Sequence, residues 1–269
     1  MEAMTTKGLG ANQLTVRIDA KDDFEETDKE NNTATIAYTV VPGVKIDFVS
    51  EEAHYTSWNY ESGTQYGWLP SVPTRLGYKF LGWFTDEKDG MLVTAASIVP
   101  DAPTTLYAHW IVQQTVIVSS NPTVDTTWGG SSLYIVTENL TIPSGVTLIL
   151  EPGVIVKFKE NKTLTVAQGG TLRANGTRAN PIVFTSINDD TNGGKTEGST
   201  SRPSPGDWYQ IGVSGLATFC NVHVFYNSSV ENHGGLECYG GAIVFDNSEI
   251  AETKYECVNM HGGGTFTAQ

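Results

Sequence analysis

The chain has 269 residues, of which 39% are hydrophobic and 17% charged, so it can bury two or three cores of ordinary size and is not a disordered polymer. Its formal net charge is -14 at pH 7 and no segment is basic, which argues against nucleic acid or an anionic membrane as a partner. The 3 cysteines exclude a disulfide scaffold, and no apolar run is long enough for a signal peptide or a membrane span.

The first segment, residues 1–43, predicts two β-strands joined by an acidic stretch. Residues 12–18 and 33–41 alternate between apolar and polar side chains, as strands with one buried face do. Carboxylates cluster between them from Asp19 to Glu30. Because their spacing does not follow the EF-hand template, we interpret the stretch as a solvated loop, with calcium binding as the alternative.

A family resemblance supports this interpretation of the first segment. The resemblance lies in the order Asp19, Phe24-Glu25-Glu26, Asp28 and Glu30-Asn31-Asn32. This order resembles the closing strands of the CARDB family, an Ig-like cell-adhesion-related domain of bacterial surface proteins. The resemblance implies that residues 1–43 are the C-terminal part of such a domain.

The second segment, residues 44–113, is dense in aromatic side chains. A unit this small needs most of its large side chains inside, so we expect these rings to fill a small core. A sugar-stacking platform is the alternative, because Trp and Tyr offer flat apolar faces with a polar edge. Trp58 and Tyr60 are the rings that we expect to be exposed and available for glycan stacking.

Three runs in the second segment carry a closer resemblance. Residues 66–70, 73–84 and 105–110 resemble the Listeria-Bacteroides repeat, also called the internalin B repeat. The resemblance implies a small α+β module with a β-grasp-like fold on a bacterial surface protein. It implies no catalytic residues.

The third segment, residues 114–269, contains an internal repeat. Residues 140–148 recur as residues 164–172, with Leu-Thr at the start and Thr-Leu at the end of both. A repeat this short cannot bury an apolar face alone, so it must stack on copies of itself.

Short apolar runs broken by Gly and Pro predict several strands in each coil. The predicted strands are residues 146–150, 154–158, 164–166 and 182–184. We align residues 156–158 with residues 182–184 on neighbouring coils.

The turns of the third segment also resemble a known family. Residues 151–153, 170–177 and 181–186 resemble the opening coils of pectin-lyase-like β-helices in bacterial surface proteins. The resemblance implies a right-handed parallel β-helix over residues 114–269, incomplete at its C-terminal end. The predicted fold class is therefore all-β, with the small α+β module in the middle.

Two features of the third segment have alternative interpretations. Residues 188–207 lack large apolar side chains and predict a long loop, either flexible or making contacts. Residues 217–223 are similar to residues 254–261, which predicts that Cys220 and Cys257 stack as buried thiols.

A metal site is the alternative for this pair of segments. It would use Cys220, His223, Cys257 and His261. Strand alternation disfavours it, because Cys220 and His223 would lie on opposite faces.

The third segment offers no persuasive catalytic set. Its arginines, Arg173, Arg178 and Arg202, lie in turn-like sequence or in the loop, where none is placed to take a proton. Its acid cluster is interpreted as a solvated edge and consists of Asp246, Glu249, Glu252 and Glu256. We therefore predict no catalytic, cofactor-binding or metal-binding residue, and no cofactor.

The predicted function follows from these modules. We expect a non-catalytic extracellular segment of a bacterial cell-surface or secreted protein, with signal and anchor outside this chain. It would serve as a spacer and as an adhesion scaffold for glycans or for host or cell-surface proteins. The alternative is the N-terminal part of a polysaccharide lyase or glycoside hydrolase whose catalytic coils lie beyond residue 269.

Overall fold

The fold is described by a computed structural model, and its elements are β-strands. No helix occurs among the described residues, which confirms the all-β prediction. In the part of the chain that the structure describes, no helix is long and apolar enough to cross a membrane. Two compact units are formed by Met1–Ser71 with Gly82–His109 and by Val72–Leu81 with Trp110–Gln269. The described residues are 10–17, 33–40, 43–130, 132–228 and 230–268.

The first segment contains an antiparallel strand pair. β1 (Gly10–Arg17) and β2 (Thr33–Val40) pair along their whole length, with Gly10 opposite Val40. This confirms the two strands predicted from alternation. The acidic stretch from Asp19 to Glu30 lies outside the described residues. The assignment of residues 1–43 to an Ig-like domain stays a prediction.

The second segment forms a five-stranded sheet in the order β4-β3-β7-β5-β6. β3 is antiparallel to β4 and parallel to β7. The strands are β3 (Val44–Ser50), β4 (Ala53–Tyr60), β5 (Tyr78–Phe84), β6 (Leu92–Val93) and β7 (Thr104–Val112).

The core of this sheet is aromatic, as predicted. Phe48 and Trp83 are buried and meet edge to face with ring centroids 4.9 Å apart. The helix implied by a β-grasp-like α+β module is not present within residues 43–113, which is a correction. Between β4 and β5 the chain carries Pro70, Pro73 and several glycines, and these residue types disfavour a helix.

The third segment is a parallel β-helix. Its first strands are β8 (Gln114–Val118), β9 (Thr126–Trp128), β10 (Ser132–Val136), β11 (Leu140–Ile142), β12 (Thr147–Leu150), β13 (Ile155–Phe158), β14 (Leu164–Val166), β15 (Thr171–Asn175) and β16 (Ile182–Ser186). The following strands are β17 (Ile211–Val213), β18 (Leu216–Cys220), β19 (Val222–Phe225), β20 (Leu236–Tyr239), β21 (Ala242–Asp246), β22 (Glu249–Ala251), β23 (Val258–His261) and β24 (Thr265–Ala268).

These strands stack into three parallel sheets. The first sheet is β8-β10-β13-β16-β19-β22, the second is β9-β12-β15-β18-β21-β24, and the third is β11-β14-β17-β20-β23. The repeat seen in the sequence is the stacking register, because Leu140 lies opposite Leu164 and Ile142 opposite Val166. Inward side chains from all three sheets form one core.

One predicted register is wrong. Residues 156–158 do not align with residues 182–184; instead Val156 lies opposite Phe184 and Lys157 opposite Thr185. The error is two residues. Because side chains alternate with a period of two, both registers place the same side chains inside, and the apolar pattern cannot distinguish them.

The predicted stack of Cys220 on Cys257 is also wrong. Cys220 lies in the second sheet between Asn175 and Asp246, whereas Cys257 is exposed and outside any strand. Cys238 is the buried thiol, placed between Val213 and Met260 in the third sheet. The apolar-filler role that the sequence predicted for cysteine therefore belongs to Cys238.

Residues 188–207, called the strap below, pack on the outer face of the first sheet. Asp189 and Asp190 are buried in it, and Gly193 lies over Leu133 and Ile155. The carboxylate of Asp189 accepts a hydrogen bond from the hydroxyl of Thr185 at 2.7 Å, among others. The flexible-loop interpretation is therefore incorrect, because buried hydrogen bonds replace the apolar contacts that the strap lacks.

Lys157 is fully buried beneath the strap. Its Nζ donates a hydrogen bond to the carbonyl oxygen of Gly194 at 2.6 Å. Burial lowers the pKa of Lys157 to about 8, although the nearby carboxylates of Asp189 and Asp190 oppose this decrease.

We expect the free energy of unfolding to rise with pH between about 8 and 10.5 on account of Lys157. In that range the unfolded chain binds the proton and the folded chain has released it, so the cost of burying the charge disappears. The gain is about 3 kcal/mol by linkage. Guanidinium titrations at several pH values measure it, and in a Lys157→Met variant this rise should be absent. Parallel pH profiles for the two proteins would contradict the assignment.

Candidate functional site

The outward face of the third sheet carries one row of aligned central residues. The row consists of Thr141, Thr165, Gly212, Glu237 and Asn259. In the first four of these strands the residues on either side point into the apolar core, because side chains alternate along a strand, whereas Met260 beside Asn259 is 40% exposed. Glu237 is the charged member of this row, and it is fully buried.

The carboxylate of Glu237 is held by groups from two neighbouring segments. Nε2 of His261 lies 2.5 Å from Oε2 of Glu237, and Nδ1 of His233 lies 3.5 Å from Oε1. The backbone N–H of Gly234 also donates to Oε1. A buried charge needs such partners. Both histidine side chains are partly exposed, so they connect the hidden carboxylate with the surface.

Tyr239 extends the site along the same face. Its ring stacks on the ring of His261, with centroids 5.0 Å apart and planes inclined by 10°. Nε2 of Gln210 donates a hydrogen bond to the phenol oxygen at 3.1 Å. Burial is the main reason that the pKa of Tyr239 is raised, and the charge of Glu237 raises it further. The phenol, which accepts from Gln210, can also donate a hydrogen bond.

Gly212 makes room for this arrangement. A Cβ atom at Gly212 would lie 3.3 Å from both Nε2 of Gln210 and the ring of Tyr239. The absence of a side chain lets Tyr239 and Gln210 settle close to the sheet. Two buried oxygens nearby, Oε1 of Gln210 and Oδ1 of Asn227, have no hydrogen-bond partner among the described residues.

The chemistry of this site is that of a carboxylate and two imidazoles beside a flat aromatic face. It offers hydrogen-bond donors and acceptors together with a stacking surface. Within the described ranges, no three His, Cys, Asp or Glu side chains are placed to hold a metal ion. The sequence did not predict this site, because Glu237 between Leu236 and Cys238 occupies the outward position of an alternating strand, where a charged residue is ordinarily solvated.

The structure corrects the predicted glycan-stacking pair. Tyr60 is buried, with only 7% of its surface exposed, so its ring offers no face to a sugar. It lies on the core side of β4 and packs edge to face against Tyr66 at 4.8 Å. Trp58 is half-buried, and its neighbour Trp68 is the exposed ring.

The residues of the alternative metal site are dispersed. Cys220 lies in the second sheet, His223 in the first and His261 in the third. Nδ1 of His223 pairs with Oε2 of Glu249 at 3.1 Å, on the outside of the first sheet. Of the predicted acid cluster, Glu249 thus has a partner of its own and does not join the site around Glu237.

A serine, a histidine and an aspartate also meet on the sheet of the second segment. Ser57 donates a hydrogen bond to Asp47, and Nε2 of His54 lies 2.7 Å from Oγ of Ser57. The same ring nitrogen, Nε2, is the one that faces Asp47, at 3.8 Å from its Oδ1. A catalytic triad needs the carboxylate on the other ring nitrogen, where it orients the imidazole. This cluster therefore does not form a nucleophilic triad.

The sequence matches two family models. Residues 45–109 match the Listeria-Bacteroides repeat domain, which confirms the predicted repeat. Residues 120–265, more than half of the chain, match the pectate-lyase like beta helix domain. No curated protein and no solved structure matches the chain. The two domains are typical of extracellular or surface proteins and indicate a surface or carbohydrate-active protein. By its fold and by this match, the chain belongs to the pectate-lyase-like β-helix family.

Proposed function

We propose that this chain is an extracellular segment of a bacterial cell-surface or secreted multidomain protein, acting as a spacer and as a glycan-binding adhesion scaffold. Its modules would be an Ig-like fragment at residues 1–43, the repeat at 44–113 and the β-helix at 114–269. The observation that carries the proposal is the stacked pair of Tyr239 and His261 beside buried Glu237. Such modules place separate cores in series, which suits the projection of a binding surface.

The site has the two components that sugar recognition requires. The stacked rings would offer an apolar surface to the C–H face of a sugar. The ring nitrogens of His233 and His261 that do not face Glu237 would bond to its hydroxyl groups, since both side chains are partly exposed. Glu237 fixes the position of the imidazoles from beneath. Because this support is rigid and buried, little side-chain entropy is lost when a ligand binds.

We expect Tyr239→Ala to weaken glycan binding at least tenfold, since it removes the aromatic face and the phenol together. The purified chain would first be applied to a glycan array, and the affinity of the best ligand would then be measured by calorimetry. Tyr255→Ala is the matched control, because Tyr255 is an exposed tyrosine outside the site. A chain that binds no glycan, or equal affinities for the two variants, would refute the proposal.

A second candidate function is a carbohydrate-active enzyme. The observation that favours it is the buried carboxylate of Glu237 against a partly exposed imidazole, because this pairing prepares a general base. Incubation with polysaccharides and detection of new reducing ends or unsaturated products tests for turnover. Products that disappear in a His261→Gln variant would support the enzyme, whereas binding without products supports the scaffold.

A further inference from the structure

The repeat module carries two aromatic side chains in contact, Trp58 and Trp68, and a further exposed ring, Tyr55, on the same strand as Trp58; we call these three the aromatic rim. Trp68 is 60% exposed, although it is the largest type of apolar side chain. The centroid of its ring lies 4.0 Å from that of Trp58, and the two ring planes are inclined by 48°. Tyr55 is also exposed, and its ring approaches Trp83 of the core at 5.7 Å.

Hydrogen bonds fix the backbone that carries Trp68 and the hydroxyl of Tyr55. The hydroxyl of Tyr60 donates to the carbonyl oxygen of Trp68 at 3.2 Å, and the backbone N–H of Gly67 donates to Ala95 at 2.8 Å. The hydroxyl of Tyr55 donates to the carbonyl oxygen of Ser71 at 3.2 Å. These bonds fix the backbone that carries Trp68, and the contact with Trp58 limits the positions that its ring can take, so less conformational entropy is lost when a ligand binds.

Core packing accounts for Trp58 and Tyr60 but not for Trp68. Trp58 contacts buried Phe48, with centroids 5.9 Å apart, so its inner face completes the core. Trp68 adds a further ring on the outside of Trp58, with most of its surface in water. Because most of the Trp68 surface is in water, folding gains little hydrophobic free energy from this side chain, and core stability does not explain its presence.

The charge of the module indicates the kind of ligand. Residues 44–113 contain eight Asp and Glu against four Lys and Arg, so their net charge is negative. This charge disfavours polyanionic glycans, because the long-range field repels them. A neutral sugar ring has no such penalty, and its apolar C–H face is complementary to Trp and Tyr rings.

We propose that the aromatic rim is a second saccharide-binding face, specific for uncharged oligosaccharides and independent of the site around Glu237. Trp68 is the principal stacking ring, with Trp58 in contact with it and Tyr55 as the third ring of the rim. Two faces on one chain would let it engage two residues of a long glycan or two glycan chains, which increases avidity without new contacts.

The test titrates the full chain with neutral hexaoses of glucose, xylose and mannose, followed by calorimetry and by tryptophan fluorescence. Trp68→Ala should reduce affinity for the preferred hexaose at least tenfold, and Trp68→Phe should reduce it less. Ile98→Ala is the matched control, because Ile98 is an equally exposed apolar side chain outside the rim, at 60%. Since Trp68 is largely exposed, thermal melting of the variants should match that of the parent chain.

The outcome also separates this inference from the proposed function. Binding that survives Tyr239→Ala and is lost in Trp68→Ala supports the rim; the reverse pattern overturns it while leaving the β-helix site in place. Equal affinity in Trp68→Ala and the parent chain overturns it as well. So does the absence of any neutral hexaose binding, or a preference of the rim for oligogalacturonate or for a proline-rich peptide.

Discussion

Replacement of Trp208 by alanine is expected to lower the free energy of unfolding of the β-helix by about 4 kcal/mol. Trp208 is fully buried and stacks face to face on Phe158, with centroids 4.2 Å apart. Its indole N–H donates a hydrogen bond to the carbonyl oxygen of Phe225 at 2.8 Å. The substitution removes a large apolar volume and leaves the partly buried carbonyl oxygen of Phe225 without this donor, and both effects destabilise the fold.

Chemical denaturation of the chain measures this loss, with Trp208→Phe and Tyr255→Ala as controls. Phenylalanine keeps a ring against Phe158 but loses the hydrogen bond, so an intermediate loss of about 1 to 2 kcal/mol is expected. Tyr255 is exposed, and its removal should change stability by less than about 0.5 kcal/mol. A Trp208→Ala variant as stable as the Tyr255→Ala variant would mean that the ring is not part of the core.

Gly215→Val is expected to destabilise the β-helix by about 3 kcal/mol or more. Gly215 lies at the corner between the third and second sheets, where a Cβ would be 2.3 Å from the carbonyl oxygen of Gly170 on the preceding coil. On the next coil, a Cβ at Gly241 would likewise lie 2.5 Å from the carbonyl oxygen of Gly215. These glycines let the backbones of successive coils approach closely at this corner. A side chain there must separate strands that are hydrogen-bonded along the stack.

Gly145→Ala is the matched control for this prediction. Gly145 has a positive φ of 78° but open space where a Cβ would stand. The alanine variant should therefore lose only the cost of a left-handed conformation, about 1 to 2 kcal/mol. Thermal unfolding of the two variants separates steric contact between coils from local backbone strain. A Gly215→Val variant more stable than Gly145→Ala would show that the corner can open without cost.

Local pattern was sufficient to predict the strands. The pair of strands before residue 43 and the short strands near residues 146–150, 154–158 and 164–166 were found from alternation and from Gly and Pro corners. The interval between Leu140 and Leu164 even gave the stacking register of the third sheet. Repetition made this possible, because equivalent residues on successive coils meet the same neighbours.

Registers without a clear repeat were not predictable. The coil before β16 contains extra residues, and the period of two allowed a shift that kept every apolar side chain inside. The thiols at Cys220 and Cys257 were matched by local similarity, but Cys220 belongs to a strand and Cys257 lies outside any strand. Similar residues in short segments do not establish equivalence when coil lengths differ.

The sequence by itself determined the fold class, the repeat module and the parallel β-helix, because these depend on periodic apolar patterns and on motifs that local sequence contains. Only the tertiary structure decided which polar groups are buried together. Glu237 meets His233 and His261 because neighbouring strands are in register, and Trp68 rather than Tyr60 is exposed because Tyr60 turns toward the core. Burial and contact are properties of surfaces brought together by folding, so the binding faces proposed for this chain emerged only when its coils and strands were in place.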